Sequence, residues 1–290
     1  MREACQSGLD MGFTALSYGK VAFLGVVQGV TELLPISSTA HMRLVPALLG
    51  WPDPGSAFSA AMQLAALTAV LTYFWSDVRG LVSNAVAAVA GRPSNPHDLR
   101  LTIAIGLATV PLVVAGIALA PLLNACHSPL RSLSVVGWSC VAMAGLLAAA
   151  ELFAAHRRTL QDSSLADAIA VGIAQVGALL PGVSRSGSTL TAALALGFRR
   201  EEAARLSFLL GIPAIGLAGA RELWALWGAH LDAHGWSVLA VGLIVASISA
   251  FAGIWGLMRL LERFSAWPFV IYRALLGAII LVLAWRGAIV

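Results

Sequence analysis

Charge is what this chain has least of. Only 11% of its 290 residues are Asp, Glu, Lys or Arg, against about 25% in an ordinary soluble domain. So few charges cannot cover the surface of a water-soluble fold of this length. Lysine is nearly absent: of eighteen basic residues, Lys20 alone is not arginine. Cysteine is scarce as well. Cys5, Cys126 and Cys140 are odd in number and form no CxxC pair, which argues against a disulfide framework or a zinc site. The stretch Cys126 to Arg131 (CHSPLR) falls one residue short of a cysteine-phosphatase loop. Walker A, GxGxxG, HExxH and GxSxG patterns are missing. So are the short alternating segments of a membrane β-barrel. The first ten residues carry two acids and no compact apolar core, so no cleaved signal peptide is expected there.

What the chain does have is apolar sequence, 59% by residue type with a mean hydropathy of +0.86. An all-α integral membrane protein follows. Six segments are long enough to cross a bilayer: 57–75, 101–123, 133–154, 203–220, 236–258 and 267–285. Two further apolar regions, 21–50 and 164–198, are each broken by a proline and a run of hydroxyls. Irregular polar backbone is tolerated at membrane depth only where protein or a water-filled cavity surrounds it. Both regions are therefore expected to form re-entrant helix–loop–helix hairpins. Segment 78–91 is short, begins with Arg79 and is expected at the interface.

The two hairpins resemble each other. Gln28, Leu33, Leu34, Pro35 and Ser38 of the first answer to Gln175, Leu179, Leu180, Pro181 and Ser184 of the second. Pro35 and Pro181 lie 146 residues apart, about half the chain. Each half is one hairpin followed by three spans, and an odd number of crossings inverts the second half. We expect a single membrane domain over 1–290, with repeat one about 21–154 and repeat two about 164–287. Broken segments at matching positions of inverted repeats point to a midplane site. The basic residues fit this topology. Ten arginines (79, 92, 100, 157, 158, 199, 200, 205, 259 and 263) fall on one side. Arg2, Lys20, Arg131, Arg221 and Arg286 fall on the other. The richer side is cytoplasmic by the positive-inside rule. Positive charge placed this way is a topology signal, so no nucleic-acid partner is expected. Arg43, Arg185 and Arg273 lie inside apolar regions.

Glu32 and Arg185 carry the strongest chemical signal, because each is an ionisable group within a broken apolar hairpin. They can lock the two halves together and still take part in chemistry. Ser37, Ser38 and Thr39 stand in one loop, and Ser184, Ser186, Ser188 and Thr189 in the other. Hydroxyls, backbone N–H groups and helix N-termini gathered in this way suit an oxygen-rich anion. Arg185 adds the planar fork that binds phosphate. His41 can act as acid, base or nucleophile. Gln28 lies one turn before Glu32 on the same helix face, where it can orient the carboxylate, bind substrate or ligate a metal. On these grounds the anion is a phosphate on a lipid or small molecule. Hydrolysis and transport stay open, the latter as a lipid-phosphate carrier or flippase using the same anion site.

The stretches Gln28-Gly-Val-Thr-Glu32-Leu-Leu-Pro-Ile-Ser-Ser-Thr-Ala-His41 and Pro181-Gly-Val-Ser-Arg-Ser-Gly-Ser-Thr189 closely resemble the two motifs of the undecaprenyl-diphosphatase family, also called bacitracin-resistance proteins. The resemblance implies an enzyme of the bacterial inner membrane that removes the terminal phosphate of undecaprenyl diphosphate. The product is the carrier lipid of peptidoglycan and other envelope polymers, and overexpression gives bacitracin resistance. The resemblance also implies a site facing the periplasm and help from a divalent cation, Mg²⁺ or Ca²⁺. Gln28 stands where many members have Glu. Glu32, Ser38, His41 and Arg185 are then the expected catalytic residues. Ser38 is the first candidate nucleophile, with Glu32 or His41 as base, and His41 the rival nucleophile. Gln28, Ser37, Thr39, Ser184, Ser186 and Thr189 are expected to bind substrate. Glu32 and Gln28 are the candidate metal ligands. The expected partners are the lipid substrate and the bilayer, with homo-oligomerisation left open.

Overall fold

The computed structural model describes residues 11–123, 130, 132–229 and 231–287. The N-terminal segment and, Leu130 apart, the CHSPLR stretch lie outside the described residues. Among the described residues the chain is helical without strands, and an isolated bridge pairs Arg158 with Phe198. The helices are α1 (Tyr18–Leu33), α2 (Ser38–Leu49), α3 (Ser56–Ala61), α4 (Gln63–Tyr73), α5 (Trp75–Val89), α6 (Pro96–Leu123), α7 (Leu133–Phe153), α8 (Leu165–Val176), α9 (Arg185–Ala195), α10 (Arg200–Gly228), α11 (Ala233–Arg263) and α12 (Trp267–Trp285).

Five helices, α6, α7, α10, α11 and α12, are long and apolar enough to cross a membrane. Their ends follow from local chemistry. Ser132 caps α7 by accepting from Val135 N at 3.3 Å, and Asp232 caps α11 by accepting from Gly235 N at 2.7 Å. Glu201 and Glu202 stand in the first turn of α10, where the helix dipole favours acids. The sixth expected span, 57–75, differs from the simple expectation. It is interrupted at Met62, and the chain then turns by 85° at Phe74 into α5. Asp77 and Asn84 share one face of α5, and Arg79 stands on the other.

The two broken regions are built alike. Pro35 and Pro181 drive the preceding residues, Leu34 and Leu180, into extended backbone, which ends the first arm. The second arm starts at Ser37 in one region and Ser184 in the other. Both have positive φ, 71° and 68°. This left-handed region is costly for a non-glycine residue, so the surroundings must enforce it. Each serine repays part of that cost by capping its own helix. Ser37 Oγ accepts from Ala40 N at 3.4 Å, and Ser184 Oγ from Gly187 N at 3.1 Å.

Each broken pair packs on long helices of the opposite half. α1 lies along α11, and α8 lies along α6. The approach is close enough to require glycine. A Cβ on Gly29 would stand 2.3 Å from Ala246 O, and one on Gly172 would stand 2.3 Å from Ala108 O. α7 pairs with α12, and α4 with α10 and α11. The apolar core forms three clusters, and the first broken region reaches all of them. Leu33 and Ile36 belong to one, Met42 to the second, and Ala40 and Leu44 to the third.

A polar tie anchors the start of α8 outside the spans. Arg158 donates to both carboxylate oxygens of Asp167, at 2.9 and 2.6 Å, and Ser164 donates from its hydroxyl and its backbone N. Burial pushes the Asp167 carboxyl up. The bonds from Arg158 and Ser164 pull it down further, to about 2.

Two outcomes are expected. Gly29→Ala should lower stability by about 1–3 kcal/mol, because the backbone of Ala246 and Ala250, and not Ser249 Oγ alone, meets the new methyl. An unchanged melting temperature in detergent would rule out the close α1–α11 contact. The Asp167 tie contributes fully above its unfolded value of about 4 and is lost as pH falls through about 2. Asp167→Asn should therefore cost about 1–3 kcal/mol at neutral pH and flatten the wild-type loss of stability on acidification. An Asn variant that melts like wild type at pH 7 would refute this.

Candidate active site

The first broken region places an acid where a helix disfavours one. Glu32 lies in the last turn of α1, beside the negative end of the helix dipole, and is buried. Two donors compensate on the same carboxylate oxygen. Gln28 Nε2 donates to Glu32 Oε2 at 2.9 Å from one turn below, and Ser38 Oγ donates to it at 2.6 Å from the first residue of α2. The Pro35 break is what allows this, because it turns the chain so that the start of α2 faces the end of α1. Gln28 Oε1 is buried without a protein partner. A cavity of about 220 Å³ adjoins this cluster. Gln28, Glu32, Ser38 and Thr39 line it together, with Pro181 from the second break and with Arg43, Asp53, Ser59 and Gln63, to which sequence reasoning gave no role at the site.

His41 has different neighbours. One ring nitrogen, Nδ1, lies 2.8 Å from Ser37 O, and the other, Nε2, lies 2.6 Å from Tyr272 Oη. A carbonyl can only accept, so Nδ1 carries the proton and Nε2 accepts from the tyrosine hydroxyl. The two rings are parallel within 5°. Both nitrogens are thus engaged away from Ser38, and His41 does not line the cavity.

The hydroxyls of the second loop bind protein. Ser186 Oγ lies 3.2 Å from Glu32 O, 2.9 Å from Leu34 O and 3.1 Å from Ser184 Oγ. Thr189 Oγ1 donates to Arg185 O at 2.8 Å and shares a 2.5 Å contact with Ser207. A helix broken at membrane depth leaves carbonyls without N–H partners, and short hydroxyl side chains are the nearest donors. Ser37 is 1% exposed and serves as the cap described above. Ser37, Ser184, Ser186 and Thr189 are therefore framework groups in this conformation, and none of them lines the cavity.

Arg185 opens α9 and stands behind Glu32. Its two terminal guanidinium nitrogens are buried and have no protein hydrogen-bond partner. They pack against α10, where a Cβ at Gly211 would lie 2.2 Å from Nη1. The group is charged, desolvated and short of acceptors, an arrangement that an anion would satisfy.

Arg273 holds the two loops together. It is 0% exposed, at the middle of α12. Nη1 donates to Pro35 O at 3.1 Å, and Nη2 donates to Gly182 O at 2.7 Å and to Val183 O. One guanidinium thus saturates carbonyls of both broken regions. An arginine centred in a 19-residue apolar helix was the signal that could have found it. Tyr272 and Gly211 carry no comparable mark in the sequence.

The family model described as bacitracin resistance protein BacA matches residues 21–279, which include every residue placed above. The chain belongs to the BacA family. Three relatives illustrate the likeness. Undecaprenyl-diphosphatase 2 of Mesorhizobium japonicum is 71% identical over 255 residues, 88% of this chain and 97% of that protein. The undecaprenyl-diphosphatase of Gloeobacter violaceus is 47% identical, with 91% of each chain covered. That of Trichormus variabilis is 44% identical over 96% of this chain and 87% of its own.

In this BacA-family chain, Arg273→Met should remove three charge-assisted bonds and leave their carbonyls unmet. The relief of a buried cation offsets part of that loss, so a net cost of about 2–4 kcal/mol is expected in a detergent melt. Arg273→Lys should recover only part, because an ammonium lacks the fork that reaches both loops. Wild-type stability in Arg273→Met would show that the loops hold without the clamp.

Proposed function

We propose that this chain hydrolyses undecaprenyl diphosphate to undecaprenyl phosphate and inorganic phosphate. The observation that carries the proposal is the 2.6 Å bond from Ser38 Oγ to Glu32 Oε2 at the wall of a cavity. A serine hydroxyl held on a carboxylate is a nucleophile with its base. Ser38 Oγ attacks the terminal phosphorus, and Glu32 takes the hydroxyl proton. The P–O bond to the bridging oxygen breaks, Glu32 hands its proton to that oxygen, and the lipid monophosphate leaves, so Glu32 is a carboxylate again. Water then cleaves the phosphoserine with Glu32 again as base, which releases phosphate and restores Ser38. Arg185 supplies positive charge behind the transferred phosphoryl group. Thr39 donates to phosphate oxygens. His41, held between Ser37 and Tyr272, steadies the turn that presents Ser38. Attack by His41 itself would first require release from Tyr272. The names of the relatives add to the hydrolytic reading, and the carrier alternative gains nothing from them.

A divalent cation, Mg²⁺ or Ca²⁺, suits this oxygen-rich corner. Gln28 Oε1 is a buried acceptor without a partner, and Glu32 lies beside it. Among the described residues no three His, Cys, Asp or Glu gather for a metal. The cation would thus be held by Glu32 and Gln28 and by substrate oxygens, as is common for Mg²⁺. When bound it would neutralise charge on the diphosphate.

The protein is multi-pass, and we place it in the bacterial inner membrane with this cavity toward the periplasm. One observation supports that orientation, and a second supports the hairpin topology on which it rests. The Asp53–Gly55 loop at the cavity lies opposite the arginine-rich side in the hairpin topology. The exchanged packing of α1 on α11 and α8 on α6 is what an inverted repeat with two re-entrant hairpins would give. Such a product would return to peptidoglycan and other envelope polymer synthesis, and an excess of the enzyme would confer bacitracin resistance.

Purified protein in detergent should release phosphate from undecaprenyl diphosphate. Ser38→Ala and Glu32→Gln should each lower kcat by about 100-fold or more. A substrate labelled in the terminal phosphate should leave label on Ser38 after rapid acid quench. Full activity in Ser38→Ala would sink the serine mechanism, and no release by folded wild type would sink the hydrolase.

A further inference from the structure

The charge on the cavity wall is not where the motifs put it. Arg185 has its guanidinium packed against Gly211 behind Glu32 and does not line the cavity. Arg43 does. On α2, Thr39, Met42 and Arg43 follow one another at i, i+3 and i+4, so they share one face, and all three line the cavity. Ser38 starts the same helix. Arg43 therefore stands about 7–8 Å further along the axis, at 1.5 Å per residue. The segment after α2 lines the cavity as well. Asp53 is fixed by accepting from Gly55 N at 2.8 Å, and Ser59 and Gln63 stand on either side of the interruption at Met62. The cavity thus has two charged places along α2. One is the nucleophile with its acid at the helix start. The other is Arg43, more than a turn further on. Arg43 already has a partner within the protein, so a ligand that takes it over exchanges one polar contact for another.

We propose that Arg43 binds the phosphate that stays on the lipid, as the affinity-determining cation of an outer subsite. This rests on the hydrolytic function proposed above. A diphosphate offers two phosphates in a row, and only the terminal one meets Ser38. The other, esterified to the prenyl chain, extends along the cavity from the reacting centre. An arginine side chain can bridge the helix rise between Ser38 and that phosphate with a forked donor. Gln63 and Ser59 add neutral donors on the facing wall. Asp53 makes the subsite selective, because its carboxylate repels an anion that Arg43 does not hold. Arg43 binds the same group in substrate and in lipid product, so it contributes to binding both and little to the bond-breaking step.

The experiment separates this inference from the function beneath it. Phosphate release by wild type tests the function, and the Arg43 variants are read only against an active wild type. Arg43→Gln should raise KM for undecaprenyl diphosphate about 10-fold or more, while kcat changes far less. Inhibition by undecaprenyl phosphate should weaken by a similar factor, because the product keeps the phosphate that Arg43 holds. Inhibition by inorganic phosphate should stay as in wild type, because that anion occupies the other place. Arg43→Lys keeps the charge without the fork and should show the same pattern at about 3-fold. It also serves should the glutamine variant fail to fold. Unchanged KM and unchanged product inhibition in a folded variant would overturn the proposal. So would a loss confined to kcat, which would put Arg43 on the transferred phosphoryl group instead.

Discussion

A polypeptide can break its helices inside an apolar fold only if something else saturates the freed carbonyls, and here Arg273 does so. Lipid offers no donors, and each unmet backbone group there costs several kcal/mol. Arg273 reaches Pro35 O on one side and Gly182 O and Val183 O on the other. Ser186 adds bonds to Glu32 O and Leu34 O. The two breaks therefore support each other. The positive φ of Ser37 and Ser184 is held by this web and would relax without it. The site inherits its geometry from that constraint, because Ser38 meets Glu32 only while the Pro35 turn is held.

The web also explains the distribution of hydroxyls. A serine-rich loop near an arginine invites the reading that every hydroxyl faces a phosphate. Ser186 instead donates to carbonyls that the broken helix leaves behind, Ser37 and Ser184 cap their own helices, and Ser188 and Thr189 bond back to Arg185 O. Only Ser38 and Thr39 reach the cavity. The arginines divide in the same way. Arg273 is spent on backbone, whereas the terminal nitrogens of Arg185 keep their charge without a hydrogen-bond partner. A buried cation in that state is unfavourable on its own, and a bound anion offsets the deficit. Stability and affinity are thus exchanged at Arg185.

Much of this was legible in the sequence, for identifiable reasons. Apolar runs and their caps placed α6, α7, α10, α11 and α12, because length and hydropathy decide a span. Pro35 and Pro181 located both breaks, because proline constrains the residue before it. Gln28, Glu32 and Ser38 were recognisable as a group, since one helical turn and one short loop connect them. Three features were not legible. The 85° turn at Phe74 depends on how α5 packs, and its segment carries no proline or glycine at the corner. The hold of Tyr272 on His41 joins residues 231 positions apart. The place of Arg43 on the cavity wall depends on a segment, Asp53 to Gln63, whose composition reads as an ordinary loop and helix start.

The matched hairpins also show why one site forms rather than two. Four residues after Gln28 stands Glu32, but four residues after Gln175 stands Leu179. Ser184 answers to Ser37 as the positive-φ cap of its second arm, and the next residues are Arg185 in one region and Ser38 in the other. The acid thus comes from the first hairpin only and the free guanidinium from the second only. Because α1 packs on α11 and α8 on α6, each hairpin is seated by the other half of the chain. The two unlike half-sites meet at the clamp formed by Arg273.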